Sequence, residues 1–507
     1  MNFSSIFLDF LLRQSYLIYE LELMFAYKER DMNVAARRVL GFVGILLGFF
    51  MALLDSTIAN ISLPQMAKDL SASMSVISWV VNAYNLAFAV LILGAARIAD
   101  QFGRRLVFTI GLALFTVASV LCGLSHLVTL LVLFRALQGL GGAILIPMSV
   151  PLVADLVPRE SLGLVTGIWG AIAGLATACG PVLGGYLTTS LGWPSIFFVN
   201  LPLGKGGIVL CLTALRESRD ESAGRRVDLW GIVAITAAMF CVVYALINAS
   251  DWGWGSPSTL ALFAGAVVGF VAFVVGELRC RAPMLSFSLF RITPIVGASA
   301  AYFSIGAGLM SSMFLLTFYL MRVLGLSSEQ AGITIVTMSL ASMVVSTVAG
   351  ALSSRLGARW FATAGMLLFV ASAVYFSHLG SETQRSYLYL GLGLAGIGLG
   401  CSMGPIVAAS VRHSPPDKVG MVSGITQMTR ALGGALGIAV VVSVLTSATA
   451  RAMVSAHGNA HLALASSFHP AFIVVAVMYG VGVVFAWISD TPVRSAGRAH
   501  QTARMGA

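Results

Sequence analysis

The sequence predicts an all-α polytopic membrane protein with about fourteen transmembrane helices. Hydrophobic residues make up 58% of the 507 residues and charged residues only 10%, which excludes a soluble globular protein and a disordered chain. Apolar runs of roughly 20 residues, the length needed to cross a bilayer, recur along the chain between charges and Gly or Pro residues. A loop pattern that occurs twice further predicts two six-helix bundles with two inserted helices between them.

The basic residues predict how the helices are oriented. The net charge is +10, but Lys and Arg are spread over many short loops and form no single face or arm, which argues against nucleic-acid binding. With a cytoplasmic amino terminus, most of the 30 Lys and Arg residues fall on the cytoplasmic side, as the positive-inside rule requires. We therefore expect both termini in the cytoplasm and a multi-pass protein of the plasma (inner) membrane.

The chain divides into five predicted segments. The first, residues 1–36, mixes apolar and charged positions around an internal Met32, and it is either a cytoplasmic or interfacial extension or upstream sequence from a misplaced start codon. The others are an N-terminal six-helix bundle, a cytoplasmic linker with the two inserted helices, a C-terminal six-helix bundle and a cytoplasmic tail. Their ranges are residues 37–215, 216–293, 294–490 and 491–507.

The first predicted helix contains a carboxylate. Asp55 lies in the stretch Leu54–Pro64, which closes an apolar run that begins near Val39. An ionised carboxylate in hydrocarbon costs about 2.5–3.5 kcal/mol on insertion scales, so such a residue indicates function. Asp55 either binds and releases a proton, or is a structural residue capped by neighbouring Ser or Asn side chains or placed at the extracellular interface.

Two arginines lie within later predicted helices. Arg135, in the fourth helix, is either the counter-charge of Asp55 or a residue that organises helix packing. Arg430, in the second bundle, either lines a substrate cavity or extends to the cytoplasmic interface. The cavity candidates are Asn60, Asn82, Tyr84, Gln138, Gln427 and Arg430.

A short charged loop follows the second predicted helix. Its glycine permits a tight turn, and a related loop, residues 350–359, occupies the same position in the second bundle. We expect the first loop to act as a conformational latch, that is, to hold the two bundles together in one conformation. The alternative is that its positive charges only orient the protein in the membrane. The latch residues are Arg97, Asp100, Gly103, Arg104 and Arg105.

The fifth predicted helix has glycines at helical spacing, which let a neighbouring helix approach backbone to backbone. The distal part of this stretch contains Gly180, Pro181, Gly184 and Gly185, and the proline adds a possible kink. We expect this part of the helix to pack tightly whatever the function of the protein.

Together these motifs resemble the major facilitator superfamily, specifically its drug:proton antiporter family with fourteen transmembrane helices. The first-helix signature L-D-x-T-I-x-N-x-x-L-P is matched without a gap, whereas the loop signature has Ala96 and Ile98 where Gly and Leu are usual. Near residue 193 the chain is similar to W-R-W-I-F-x-I-N-x-P, with the Arg and the second Trp lost. The matching residues are Leu54–Pro64, Asp100, Gly103, Arg104, Arg105, Arg135, Gln138, Gly139, Gly180, Pro181, Gly184, Gly185 and Trp193–Pro202.

This resemblance implies the major facilitator fold and a proton-coupled efflux transporter, an antiporter that exports small lipophilic or cationic drugs by alternating access. It implies proton coupling by Asp55 and Arg135 and a conformational role for the Gly180–Gly185 stretch. The expected partners are a small-molecule substrate, protons and membrane lipids, and the expected state is a monomer. An exporter of a specific metabolite, lipid or self-made antibiotic is the alternative. A polytopic membrane enzyme is a remote one, because no loop contains a catalytic set of residues.

No cofactor or metal site is predicted. The six cysteines form no CxxC pair, so they imply neither a disulfide framework nor a zinc site. His457, His461 and His469 fall in what we expect to be a long extracellular loop without Cys or Asp ligands, which favours solvated histidines over a metal site.

Overall fold

The structure, a computed structural model, describes residues 34–72, 74–77, 79–157, 162–219, 229–279, 285–381, 383–415, 418–455 and 460–490. Within these ranges the regular structure is helical and contains no strand. The predicted extension up to residue 33 and the tail at residues 491–507 lie outside the described residues.

Fourteen long helices make up the described chain. Thirteen are long and apolar enough to cross a membrane, where α6 is counted together with the short helix Ser195–Phe198 that precedes it. The remaining one, α7, contains a shorter apolar stretch, Trp230–Leu246. The prediction of an all-α, multi-pass fold is therefore confirmed. The helices are α1 (Val34–Asp69), α2 (Trp79–Phe102), α3 (Arg104–Gly123), α4 (Val128–Leu156), α5 (Leu162–Leu191), α6 (Asn200–Ala214), α7 (Leu229–Trp252), α8 (Pro257–Arg279), α9 (Thr293–Arg322), α10 (Ser328–Leu356), α11 (Ala358–Phe376), α12 (Arg385–His413), α13 (Val419–Ser455) and α14 (Ala460–Ile488).

Helices α1–α6 form one bundle and α9–α14 form the other. At the interface between them, α2 packs against α13 and α5 packs against α10. These are the second and fifth helices of each bundle in exchanged pairs, so the interface has an approximate two-fold axis. The inserted helix α7 packs against α2 and α13, while α8 packs mainly against α7 and exposes apolar side chains such as Val267.

Local signals explain where several helices begin and end. Gly103, with φ +117°, separates α2 from α3, and Gly357, with φ +95°, separates α10 from α11 at the equivalent place. Side chains rarely adopt such φ values, so both short connections require glycine. A capping box starts α10, because Gln330 N donates to Ser327 Oγ and Ser327 N donates to Gln330 Oε1.

The helices alternate in direction, so both ends of the described chain lie on the same face, called here the terminal face. The opposite face is called the distal face. Arg37 Nε donates to Ala214 O near the terminal face, and Asp490 Oδ2 accepts from Ala358 N there. The bundles approach each other closely in this half of the molecule: a Cβ on Gly167 of α5 would lie 2.6 Å from Ser346 O of α10.

The prediction of a long loop near residue 457 is wrong. Helix α13 extends to Ser455 and α14 begins at Ala460, so His461 and His469 lie within α14, whereas His457 lies outside the described residues. Half of residues 460–469 are Ala or Ser, and a helix tolerates both residue types. His461 Nε2 lies 3.1 Å from Val323 O and His469 Nδ1 lies 3.0 Å from Ser377 O.

Candidate functional site: a buried charge pair in the first bundle

Asp55 lies at mid-length in α1, with no exposed surface. Its neighbours come from α4 and α6 of the same bundle, so the carboxylate is enclosed in the interior of the first bundle. Because it is fully buried, the carboxylate is not exposed on the surface of a cavity between the bundles.

Three side chains donate hydrogen bonds to this carboxylate. Gln138 Nε2 donates to Asp55 Oδ1 at 2.8 Å, and Asn200 Nδ2 donates to the same oxygen at 3.1 Å. Arg135 Nη1 donates to Asp55 Oδ2 and forms a salt bridge with it. Both oxygens of an ionised carboxylate thus have donors, which is what a buried charge requires.

Arg135 is held in place by further contacts and is 1% exposed. Its Nε donates to Val80 O at 2.8 Å, and its Nη1 also donates to Gln138 Oε1 at 2.8 Å. The guanidinium lies 4.5 Å from the centre of the Tyr84 ring, a cation–π distance. Tyr84 in turn donates its hydroxyl to Ala52 O on α1 at 3.1 Å. The arginine is therefore fixed between α1, α2 and α4.

Gly139 explains how α2 and α4 come close enough to form this site. A Cβ at position 139 would lie 2.4 Å from Tyr84 O and 3.1 Å from the Ala87 side chain. A larger residue would push α2 away from α4 and would separate Tyr84 from Arg135. The glycine that follows Arg135 and Gln138 in the fourth-helix motif thus has a packing reason.

Two polar members of the site, Asn200 and Ser119, were not predicted as site residues from the sequence. Asn200 begins α6 and is fully buried, and its Nδ2 also donates to Ser119 Oγ at 2.9 Å. Ser119, on α3, donates to Phe197 O. Asn200 Oδ1 is buried and has no hydrogen-bond partner among the residues that the structure describes. The signal that was present is an asparagine inside an apolar stretch, in the motif around Trp193.

The residues predicted to line a substrate cavity separate into two groups. Tyr84 and Gln138 belong to the buried cluster around Asp55 and are 2% and 0% exposed. Asn60 is exposed on α1, and Asn82 is half-buried on α2. On α13, the half-buried Arg430 donates from Nε to Gln427 Oε1 at 3.0 Å.

The predicted latch residues lie at the terminal face. Arg104 Nε donates to Asp100 Oδ1 at 2.9 Å, and Arg104 Nη1 donates to Asp155 Oδ2 at 3.3 Å. Asp100 also lies against the other bundle, because a Cβ on Gly420 of α13 would come within 2.3 Å of its Oδ1. The carboxylate therefore lies between Arg104 of its own bundle and the positive end of the α13 helix dipole. Arg97 is 5% exposed.

A carboxylate caps the helix after each charged loop. Glu217 accepts from Arg105 N and Leu106 N at 3.0 Å each, and so caps α3. In the second bundle, Asp490 accepts from Ala358 N at 2.9 Å and caps α11. Burial raises the pKa of the Glu217 carboxyl above its ordinary value, and the backbone hydrogen bonds oppose this rise.

Helix α5 contacts both the first helix and the other bundle. A Cβ on Gly180 would lie 2.0 Å from Thr57 Oγ1 and 3.2 Å from Ile58 N, and one on Gly184 would lie 2.9 Å from Ile58 O. Gly185 has nothing within 4 Å of such an atom. Pro181 lies between these glycines within α5. The distal half of α5 thus packs against α1 beside Asp55, while its terminal half packs against α10.

The arrangement of helices can be compared with known protein families. The sequence profile of the Major Facilitator Superfamily matches residues 45–437 and 298–504. The chain belongs to the Major Facilitator Superfamily. The two bundles with exchanged helix pairs and the fourteen helices agree with the resemblance drawn from the motifs, and that interpretation is confirmed.

Curated relatives are transporters named for drug resistance. The chain is 35% identical over 398 residues to the tetracenomycin C resistance and export protein of Streptomyces glaucescens, covering 78% of this chain and 74% of that protein. It is 37% identical over 403 residues to the multidrug resistance protein Stp of Mycobacterium tuberculosis, covering 79% and 74%. The puromycin resistance protein pur8 of Streptomyces alboniger is 32% identical over 89% of this chain and 91% of its own.

Among solved structures, the human organic anion transporter MFSD10 superposes with a TM-score of 0.59 at 16% identity. The match covers 89% of this chain and all of that one. At this identity the likeness shows the fold alone. The family and the relatives identify a multi-pass membrane protein that handles small molecules.

Proposed function

We propose that this protein is a proton-coupled exporter of small lipophilic molecules in the plasma (inner) membrane, with both termini in the cytoplasm. The observation that carries the proposal is the enclosed carboxylate of Asp55 with Arg135, Gln138 and Asn200 around it. A fully buried carboxylate is costly, and in a transporter it indicates a proton site. The drug-resistance names of the relatives support export as the direction of transport.

The contacts between the bundles support an outward-facing state. Close approaches such as Gly167 to Ser346 and Gly420 to Asp100 lie in the terminal half of the helices. If the terminal face is cytoplasmic, the path between the bundles is closed to the cytoplasm here. Alternating access then requires these contacts to separate, and the Asp100 loop is the group that holds them together.

Protonation changes the hydrogen bonds that Asp55 needs. The ionised carboxylate accepts from three donors, whereas a protonated one must donate its own hydrogen. Asn200 Oδ1 is a buried acceptor without a partner, and a rotation of the amide would present it to the new hydroxyl. Protonation also removes the charge that balances Arg135, so it loosens the contact between α1 and α4.

Helix α5 connects this change to the interface. Through Gly180 and Gly184 it packs on α1 two and three residues beyond Asp55, and through Gly167 it packs on α10 of the other bundle. A shift of α1 on protonation is therefore transmitted along one rigid helix. Inward movement of each proton supplies about 2.3 kcal/mol per 100 mV, in addition to any pH gradient.

We assign the protein no catalytic activity and propose that a single chain suffices, because both bundles and the proton site belong to one polypeptide. The alternative substrate, a defined metabolite, lipid or self-made antibiotic, would use the same machinery.

The experiment that tests the proposal uses everted membrane vesicles that contain the full-length protein. A panel of fluorescent lipophilic cations, neutral drugs and aromatic antibiotics is added, and uptake into the vesicles and proton release are recorded with and without an uncoupler. We expect uptake that the uncoupler abolishes and proton release that depends on Asp55, so that Asp55→Asn eliminates it. Uptake that persists with the uncoupler, or normal proton release by Asp55→Asn, would contradict the proposal.

A further inference from the structure

Arg430 is an intramembrane cation that the proton site does not involve. It lies 11 residues beyond Val419, the first residue of α13, or about 17 Å along the helix axis, which is too deep for the terminal interface. Among the described residues, no Asp or Glu oxygen lies within the 4.0 Å of an ion pair with it. Its Nε donates to the neutral Gln427. The membrane interior thus contains a positive charge that these residues do not neutralise.

Arg430 lies between α9 of its own bundle and the first bundle. A Cβ on Gly306 of α9 would lie 3.1 Å from Arg430 Cα, so this part of α13 packs on α9. Ser423, Gln427 and Arg430 are spaced i, i+4 and i+7, so they lie on one stripe of α13. Ser423 Oγ donates to Pro147 O on α4 of the first bundle at 2.7 Å. Gln427 and Arg430 follow this contact towards the distal face, along the line where the two bundles separate.

The opposing surface of the first bundle is apolar. Leu140 and Leu133 precede Pro147 by seven and fourteen residues, so they continue its stripe along α4 towards the distal face. Leu140 is half-buried and Leu133 is 54% exposed. A molecule between the bundles at this depth would therefore meet leucine side chains on one side and a guanidinium on the other.

Polar groups of α9 complete the surroundings of Arg430. Tyr302, buried beside Arg430, donates its hydroxyl to Met403 O at 3.3 Å and so has no hydrogen left for a ligand. Ser299 Oγ, one turn away on α9, is buried without a partner among the described residues. Gln427 and Arg430 thus offer donors but no negative charge.

We propose that Arg430 and Gln427 bind an anionic group, a carboxylate or an ionised phenol, on an otherwise apolar exported molecule. This inference rests on the proposed export function and names the substrate class. A guanidinium pairs with such groups through charge-assisted hydrogen bonds, which are strong where water is excluded.

The test uses two dyes that differ only at the anionic group. Tetramethylrhodamine has a free carboxylate, and its methyl ester has the same chromophore without it. Binding to the purified full-length protein is followed by fluorescence anisotropy. We expect the wild-type protein to bind the acid at least about tenfold more tightly than the ester, as one charge-assisted hydrogen-bonded pair would give. Equal affinities, or tighter binding of the ester, would overturn the proposal.

Variants at position 430 test whether Arg430 causes the preference for the acid over the ester. Arg430→Gln should bind both dyes equally, Arg430→Lys should retain most of the preference for the acid, and Arg385→Gln, at an exposed arginine, should match the wild type. Binding of the ester by Arg430→Gln reports that its fold is intact, and Arg430→Lys supplies the comparison if that variant does not fold. A preference for the acid that survives in Arg430→Gln contradicts the proposed site.

The failure of this inference can be distinguished from the failure of the proposed function. Uncoupler-sensitive export without any preference for the acid contradicts only this inference, whereas loss of uncoupler-sensitive export contradicts the proposed function.

Discussion

Asn200 donates to Asp55 Oδ1 at 3.1 Å, while its own side-chain oxygen is buried without a hydrogen-bond partner among the described residues. The same amide therefore satisfies the ionised carboxylate and holds an unused acceptor beside it. A buried unsatisfied oxygen is costly, so its presence next to a proposed proton site needs an explanation. Accepting a hydrogen bond from the protonated, neutral form of Asp55 would explain this oxygen.

This relationship predicts the effect of Asn200→Asp. Two carboxylates at hydrogen-bond distance share one proton, because two adjacent negative charges repel each other and this repulsion raises the pKa of the pair. The pair should therefore hold a proton to higher pH than Asp55 alone. We expect the pH at which substrate-driven proton release is half-maximal to rise by about one unit or more in proteoliposomes. Asn60→Asp, at an exposed position of α1, is the control, and an unchanged pH profile for Asn200→Asp would contradict the role of this amide.

The pair of Asp55 and Arg135 predicts strong coupling in stability. Removing one partner of a buried ion pair leaves an uncompensated charge, which costs about 3–5 kcal/mol. Asp55→Asn and Arg135→Met should each lower the free energy of unfolding by an amount of that order. The double variant removes both charges, so its loss should be clearly smaller than the sum of the two. Unfolding in mild detergent measures this cycle, and strictly additive losses would show that the two charges do not interact.

The sequence was informative where a residue type is costly in a membrane. A carboxylate and an arginine in apolar stretches pointed to Asp55 and Arg135, because charges there require partners. Asn200 was missed because an asparagine is much less costly than a charge and carries no spacing signal. Tyr84 and Gln138 looked like cavity residues, since sequence spacing shows which side chains share a helix face but not which neighbour that face meets.

Depth and helix ends were predicted less well for a related reason. The distance of Asp55 from the membrane surface depends on how far α1 extends beyond Pro64, and it continues to Asp69 with the proline inside it. The histidines near residue 461 were assigned to a loop, although α14 already begins at Ala460. The charged loops were placed correctly, because glycine at positive φ leaves a signature in the sequence.

Asp100 and Gly420 predict how the bundles are held at the terminal face. An alanine at position 420 would place its Cβ about 2.3 Å from Asp100 Oδ1, so the carboxylate or α13 must move. We expect Gly420→Ala to shift the protein towards the state that is open at the terminal face. Spin labels at Phe102 and Leu356, exposed ends of α2 and α10, should then show a longer distance distribution. The control is Gly480→Ala, which has nothing within 4 Å of the added atom, and an unchanged distribution for Gly420→Ala would contradict the latch.

Glu217 predicts a capping effect on α3. Its two oxygens accept separately from Arg105 N and Leu106 N, and glutamine keeps only one of these acceptors. Glu217→Gln should therefore lower the free energy of unfolding by about 1 kcal/mol, the usual value of a helix cap. Thermal unfolding of the purified protein measures the change. Arg216→Gln, at the exposed preceding residue, should have no such effect, and equal stabilities for both variants would argue against the cap.

Gly180 and Gly185 lie five residues apart on α5 and predict opposite results. A methyl group at position 180 would lie 2.0 Å from Thr57 Oγ1 and 3.2 Å from Ile58 N, so α1 must move close to Asp55. Overpacking of this kind costs about 1–3 kcal/mol, and it acts on the helix that carries the proton site. At position 185 the methyl group meets no atom within 4 Å, and alanine favours a helix over glycine by about 1 kcal/mol. We expect Gly180→Ala to lower uncoupler-sensitive transport by about tenfold while the protein still reaches the membrane, since 1.4 kcal/mol corresponds to that factor.

Gly185→Ala is the control variant, and it should transport normally with equal or higher thermal stability. Similar transport by the two variants would show that the contact between α5 and α1 does not control the cycle.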